Sequence, residues 1–224
     1  MKCDNSLISS YYSGWIDLFG WGTSGWNPGG NTYSHPWDYN YDDDHLYGPP
    51  GRYNLTGSYA NSDWGYYNAI NNGGNTVHQW RTLTHEEWDY VFNTRSTSSG
   101  IRYAKATVNG VKGVILLPDE WSTSYYSLSK TNKSNVNFSF NVISSSDWTN
   151  CLQAHGAVFL PMAGFRDKTT FILNGFYWSA SYEDSNDPVA TYYAYSWFFN
   201  SAYLRHNGSY RGYGHSVRLV CPAE

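Results

Sequence analysis

The Asn109-Gly110 pair restricts this chain more than any other short stretch. It lies between residues 103–108 and 111–117, two runs dense in apolar and β-branched side chains. Asn-Gly supplies the two positive-φ positions of a type I′ turn, whose twist matches that of flanking antiparallel strands. Residues 103–117 are therefore expected to form a β-hairpin. Pro118 ends its second strand, because proline brings no N–H to a ladder. The remaining chain has to build its core against an antiparallel sheet.

Helix signals flank this hairpin. Thr84 precedes an apolar pattern with Glu87 three residues on, which is a capping box. Glu86, Glu87 and Asp89 fall early in that helix, where the dipole favours negative charge. Trp88, Val91 and Phe92, at i, i+3 and i+4, form its expected buried stripe. Glu86 and Glu87 are read as capping and solvated groups rather than as acid/base catalysts, since no motif ties a second carboxylate or a nucleophile to them. A second helix is expected over 146–155 with Gly156 as its stop, and a short one over 63–70 with Ser62 as cap and Gly73 beyond its end. His155 then falls in a last helical turn, as a dipole partner rather than a ligand. Residues 157–161 read as a short buried strand, and 122–141 as a long polar surface loop.

The N-terminal third is rich in Gly, Tyr, Trp, Asn and Asp. Residues 15–22 suggest a buried strand or turn with close backbone approach at the glycines. Asn27-Pro28-Gly29-Gly30 and Gly48-Pro49-Pro50-Gly51 are turn signals. Asp42, Asp43 and Asp44 lack the alternating spacing of a calcium loop and are read as a solvated acidic loop. The element order gives an α+β class with small, mostly antiparallel sheets, two or three short helices and long loops, in one domain over 1–224.

Composition narrows the function. Only 14% of residues are charged and 19% are aromatic, the reverse of a disordered chain. A net charge of −4 gives no electrostatic footprint for nucleic acid. No apolar run is long enough to span a membrane, and no apolar segment follows residues 1–5 to make a signal peptide. Cys3, Cys151 and Cys221 lack zinc-site spacing and are read as free thiols, with a Cys151–Cys221 bridge as the alternative.

Residues 175–220 interleave two kinds of side chain. Trp178, Ala194, Trp197, Phe199, Val217 and Leu219 recur as anchors, and Tyr, Asn, Ser, His and Arg crowd between them. Tyr offers rigid amphipathic contact area, and Ser, Asn and Gly offer adaptable hydrogen bonds. The stretch reads as a binding surface carried by the rest of the molecule, with Tyr203, Arg205, Tyr210 and Tyr213 as its strongest anchors.

Residues 80–88 (Trp-Arg-Thr-Leu-Thr-His-Glu-Glu-Trp), 159–166 (Phe-Leu-Pro-Met-Ala-Gly-Phe-Arg), 177–181 (Tyr-Trp-Ser-Ala-Ser) and 214–220 (Gly-His-Ser-Val-Arg-Leu-Val) occur in this order. Together they resemble the C-type-lectin-fold proteins of gut Bacteroidales and their phages, in particular the variable proteins of diversity-generating retroelements. The helix segment is also similar to that of formylglycine-generating enzymes, which share that fold. Family members usually carry further N-terminal strands ahead of the segment matching 15–22. In the retroelement proteins template adenines are randomised, so an Asn codon of the AAY type can become Tyr, Ser, Asp, His, Gly, Arg, Phe or Leu, but not Trp, Glu, Lys, Gln or Met. Tyr182, Ser196, Phe198, Asn200, Tyr203, Arg205, His206, Asn207, Ser209, Tyr210, Tyr213 and His215 are all permitted outcomes and form the expected ligand-binding set. Trp178, Trp197 and Arg218 fall where the family keeps scaffold residues.

The resemblance implies a non-catalytic receptor-recognition protein of a cell surface or virion, with a protein or glycan partner and no cofactor or metal. The alternative is a lectin-like carbohydrate binder that does not use calcium, since Asn186-Asp187-Pro188 stands without a Trp-Asn-Asp motif. An enzyme of the formylglycine-generating kind is disfavoured, because Cys151 and Cys221 do not sit in the matching motif.

Overall fold

The computed structural model describes residues 5–7, 17–26, 48–49, 51–184 and 191–222. Its helices are α1 (Trp64–Tyr67), α2 (His85–Asp89) and α3 (Ser145–Asp147). In chain order its strands are β1 (Arg81–Thr82), β2 (Tyr103–Val108), β3 (Val111–Leu116), β4 (Val142–Ile143), β5 (Val158–Pro161), β6 (Phe165–Asp167), β7 (Thr170–Ile172), β8 (Gly175–Tyr182), β9 (Tyr193–Phe199), β10 (Leu204–Tyr210) and β11 (Leu219–Val220). Short helices and small sheets make an α+β protein. The larger sheets run β4-β2-β3-β5 and β10-β9-β8, and β1-β11 and β6-β7 form two-stranded ribbons. The acidic run 42–44, the segment 27–30, Cys3 and residues 186–188 lie outside the described residues.

The Asn-Gly hairpin forms as the sequence predicts. Asn109 and Gly110 take φ of 47° and 80°, and the strands pair from Tyr103↔Leu116 to Val108↔Val111. β5 adds antiparallel on the β3 side and β4 parallel on the β2 side.

The capping box is complete. Thr84 Oγ accepts from the Glu87 N–H, and the Glu87 carboxylate accepts from the Thr84 N–H. Arg81 grips both Glu87 oxygens at 2.6 Å, which holds the Glu87 carboxyl below the usual range. Past Asp89 the helix widens into a π-type turn over Tyr90–Thr94. Trp88 and Phe92 are fully buried and Val91 partly so, as the stripe predicts.

Two helical expectations change in detail. The run over 63–70 shortens to α1, because Asn68 turns extended after its N–H closes onto the Trp64 carbonyl. Its cap is Asp63, which accepts from the Gly65 N–H, and Ser62 is buried instead. The helix over 146–155 starts one residue earlier, capped by Ser144, and tightens from a π turn into a 3₁₀ turn before Gly156 stops it at φ 83°. His155 ends this run with Nδ1 2.9 Å from the Cys151 carbonyl. Cys151 and Cys221 are free thiols, so the alternative bridge does not form.

Three buried clusters hold the fold. Around α2, Trp88 and Phe92 meet Tyr103, Val114, Tyr177, Trp197 and Phe199. Behind the hairpin, Ile115, Leu117, Trp121, Ile143 and Leu152 close a second core. Trp21, Leu55, Trp178, Ala180 and Ala194 form the third. Three buried Trp N–H groups find carbonyls: Trp21 donates to Ser179, Trp88 to Trp178 and Trp178 to Phe19. The sheet β10-β9-β8 therefore lies between two cores, with α2 on one face and the Trp21 segment on the other.

Candidate ligand-binding surface

Successive side chains of a strand point to opposite faces, so the register of the terminal sheet sorts the predicted residues. Phe198 lies opposite Arg205 and Phe176, and Ser196 opposite Asn207 and Trp178. On the other face Trp197 lies opposite His206 and Tyr177, and Phe199 opposite Leu204 and Gly175. The α2 core claims the second face at Tyr177, Trp197, Phe199 and Leu204. The first face is sealed by Trp21 and Leu55 at its Trp178–Ala194 end.

What stays accessible is the end bearing Phe198. The Phe176 ring lies 4.8 Å from Phe198 and 4.8 Å from Phe165, centroid to centroid, and all three are half-buried. Arg205 and Tyr203 stand beside them, with the guanidinium 5.0 Å over the tyrosine ring. Tyr203 is 51% exposed and Arg205 is exposed. Tyr213 is half-buried, 5.6 Å from Phe165 and 5.6 Å from Tyr210. The surface is thus an aromatic floor with a stacked guanidinium at its side.

Other predicted residues are placed differently. His206 projects from the opposite face of β10, 5.0 Å from His85; His85 stacks on Tyr195 at 4.1 Å. Burial, with the neighbouring His206, lowers the His85 pKa. Tyr210 lies 4.2 Å from Tyr193; burial and the Tyr210 hydroxyl raise the Tyr193 pKa. A Cβ on Gly208 would lie 2.0 Å from a Glu183 oxygen, so this glycine makes room for that carboxylate. Asn207 turns its amide back onto the Gly208 carbonyl. Asn200 spends its side-chain Oδ1 on the N–H groups of Ala202 and Tyr203, shaping the β9–β10 tip. Tyr182 packs on the Trp21 cluster.

Three expected contact residues belong to the interior. Ser196 and Ser209 are buried, their hydroxyls 3.0 Å apart between β9 and β10. Ser196 lies opposite Trp178 and Ser209 opposite Ala194, both members of the third core. His215 is fully buried, with its ring 4.0 Å from Trp178 and 4.6 Å from Phe176. Burial and the nearby Arg166 lower its pKa well below the usual histidine value. Its backbone bridges to Phe19 in both directions, so it is a scaffold residue. Arg218, expected in the scaffold, is exposed instead.

Sequence reasoning also missed contributors. Phe176, two residues before Trp178, shares its face, a signal already present in the alternation. Phe165, His85 and Tyr195 carried no local signal. Nor did Lys105, buried in β2, whose ammonium donates to the carbonyls of Ser134, Asn200 and Tyr203. Burial lowers its pKa to about 8, so at neutral pH it keeps a proton for each carbonyl. It fastens the tip that presents Tyr203.

Among the described residues no three or more His, Cys, Asp or Glu side chains cluster to hold a metal ion, and no helix is long and apolar enough to cross a membrane. Comparison with family models, with curated proteins and with solved structures finds no match for this chain.

Proposed function

We propose that this protein is a non-catalytic ligand-binding protein that recognises a protein or glycan through the outer surface of its terminal sheet, on a C-type lectin scaffold whose contact residues a retroelement diversifies. The observation that carries this reading is the split within 175–220. Trp178, Trp197 and Phe199 are locked in cores, while Tyr203, Arg205 and His206 stand exposed among them. Binding surfaces concentrate energy in a few aromatic and Arg anchors, and Tyr203 with Arg205 over its ring is such a pair. The half-buried Phe165, Phe176 and Phe198 supply apolar area beneath them. Display outside the cell or on a virion is part of the same reading.

The test is a binding screen against arrayed bacterial surface proteins, host surface proteins and glycans, with a Tyr203→Ala/Arg205→Ala double variant beside the wild type. A ligand captured by the wild type and lost by the variant supports the reading. A ligand held equally by both, or consumed rather than captured, overturns it. Retroelement diversification has a separate check at the gene. The exposed positions should use codons ending in C or T, near a reverse-transcriptase gene and a template copy.

A further inference from the structure

The terminal sheet has two edges, and they are treated differently. The edge of β8 is occupied: Trp178 N–H donates to the Ser216 carbonyl, Ser216 N–H to Phe176, Ala180 N–H to Leu83 and Leu55 N–H to Ala180. Among the described residues the edge of β10 is not. Asn200 N–H bonds to the Tyr203 carbonyl and Arg211 N–H to the Tyr192 carbonyl. With the unbroken register between them, these bonds fix which residues face β9. They are 203, 205, 207, 209 and 211, since bonding alternates along an antiparallel pair. The backbone groups of His206 and Gly208 therefore point away from the sheet. The Gly208 carbonyl is covered by the Asn207 amide. No described residue pairs with the His206 N–H, the His206 C=O or the Gly208 N–H.

Exposed edges are normally blunted by proline, lysine, bulges or very short strands. β10 runs seven residues without a bulge and holds neither proline nor lysine. Its start is fixed by Lys105 through the Tyr203 and Asn200 carbonyls. Its outward groups are thus a row of fixed donors and acceptors beside the exposed Arg205, which stacks on Tyr203 and forms no ion pair among the described residues. Adding a strand to such an edge is a recurrent mode of peptide recognition, in which main-chain hydrogen bonds give affinity and alternate side chains give specificity.

We infer that the partner is an extended polypeptide segment that adds to β10 as a further strand, bonding to the His206 and Gly208 backbone and setting a carboxylate side chain against Arg205. This rests on the ligand-binding reading above and names the class of ligand. A glycan does not offer a repeating row of N–H and C=O groups at strand spacing; an extended peptide does.

The test pans a random linear peptide library against the folded protein, then measures amide hydrogen exchange of the ¹⁵N-labelled protein with each enriched synthetic peptide. Enriched peptides should carry Asp or Glu and should slow exchange at His206 and Gly208. His206→Pro removes an outward N–H without touching the β9 ladder and should weaken binding about tenfold or more. If that variant does not fold, amide protection in the wild type decides alone. Peptides that bind while both amides exchange freely overturn strand addition and leave ligand capture standing. No enriched peptide, with a ligand found in the array screen, overturns the polypeptide class alone; silence in both removes both readings. Protection that grows with protein concentration and no peptide assigns the edge to a second copy of this chain and overturns a foreign strand.

Discussion

Trp178 and His215 lie ring against ring, with centroids 4.0 Å apart and an interplanar angle of 24°. Neither imidazole nitrogen has a hydrogen-bond partner among the described residues, and the side chain is fully buried. The ring therefore acts as a flat apolar spacer, and protonating it strands a charge. Its folded pKa lies well below the ordinary value, so the unfolded chain takes up the proton first as pH falls. The resulting stability is present above pH 6.5 and lost below it. His215→Phe should shrink the loss between pH 7.5 and 5.5 by up to about 1.4 kcal/mol, read from urea midpoints at the two pH values. His85, shifted the same way, leaves a residual slope. An unchanged slope would show that His215 is not the group that titrates.

Lys105→Met keeps the stem of the side chain and removes the donors to three carbonyls. The Tyr203 carbonyl keeps the Asn200 N–H, but losing the ammonium from the Ser134 and Asn200 carbonyls should cost about 2–3 kcal/mol. The β9–β10 tip should also become a preferred site of limited proteolysis near 200–203. A variant that loses stability without new cleavage there would separate the lysine from the tip.

Gly175 faces the Phe199 ring, and an added Cβ would fall 2.2 Å from it. Phe199 is 1% exposed and has nowhere to turn. Gly175→Ala should destabilise by about 2–3 kcal/mol, measured by chemical denaturation. Gly208→Ala should be far milder, because its neighbour is the far end of the Glu183 side chain.

Thr84→Ala should cost about 1 kcal/mol and Thr84→Ser much less, since the hydroxyl is the capping group. Thermal denaturation distinguishes them. Equal losses would place the effect in the methyl group.

Arg205→Ala should change stability by less than about 0.5 kcal/mol, as expected for an exposed side chain. Ser209→Tyr should destabilise by about 1–3 kcal/mol, since the site is 3% exposed. Comparing their melting temperatures tests which positions tolerate replacement.

The local chemistry was legible in the residues themselves. Asn109-Gly110 declared its hairpin, Thr84 and Glu87 their cap, and Gly156 its helix stop, because each acts through backbone a few residues away. The surface was legible only in outline. Tyr203 and Arg205 are indeed exposed, but Ser196, Ser209 and His215 look just as polar in sequence and lie inside. The Trp21 and Leu55 side chains, more than a hundred residues earlier, cover the sheet at the Trp178–Ala194 end, His215 lies under the Trp178 and Phe176 rings, and no local pattern reports that packing. Lys105 and Phe165 were missed for the same reason: their partners are brought together only by the assembled sheets.

The hydrogen bonds of the lysine under the tip go to main-chain oxygens, those of residues 134, 200 and 203. Every amino acid brings that oxygen, whatever its side chain. The loop can therefore change its chemical character while its mooring stays indifferent to the change, so geometry and identity are inherited separately at this end of the molecule.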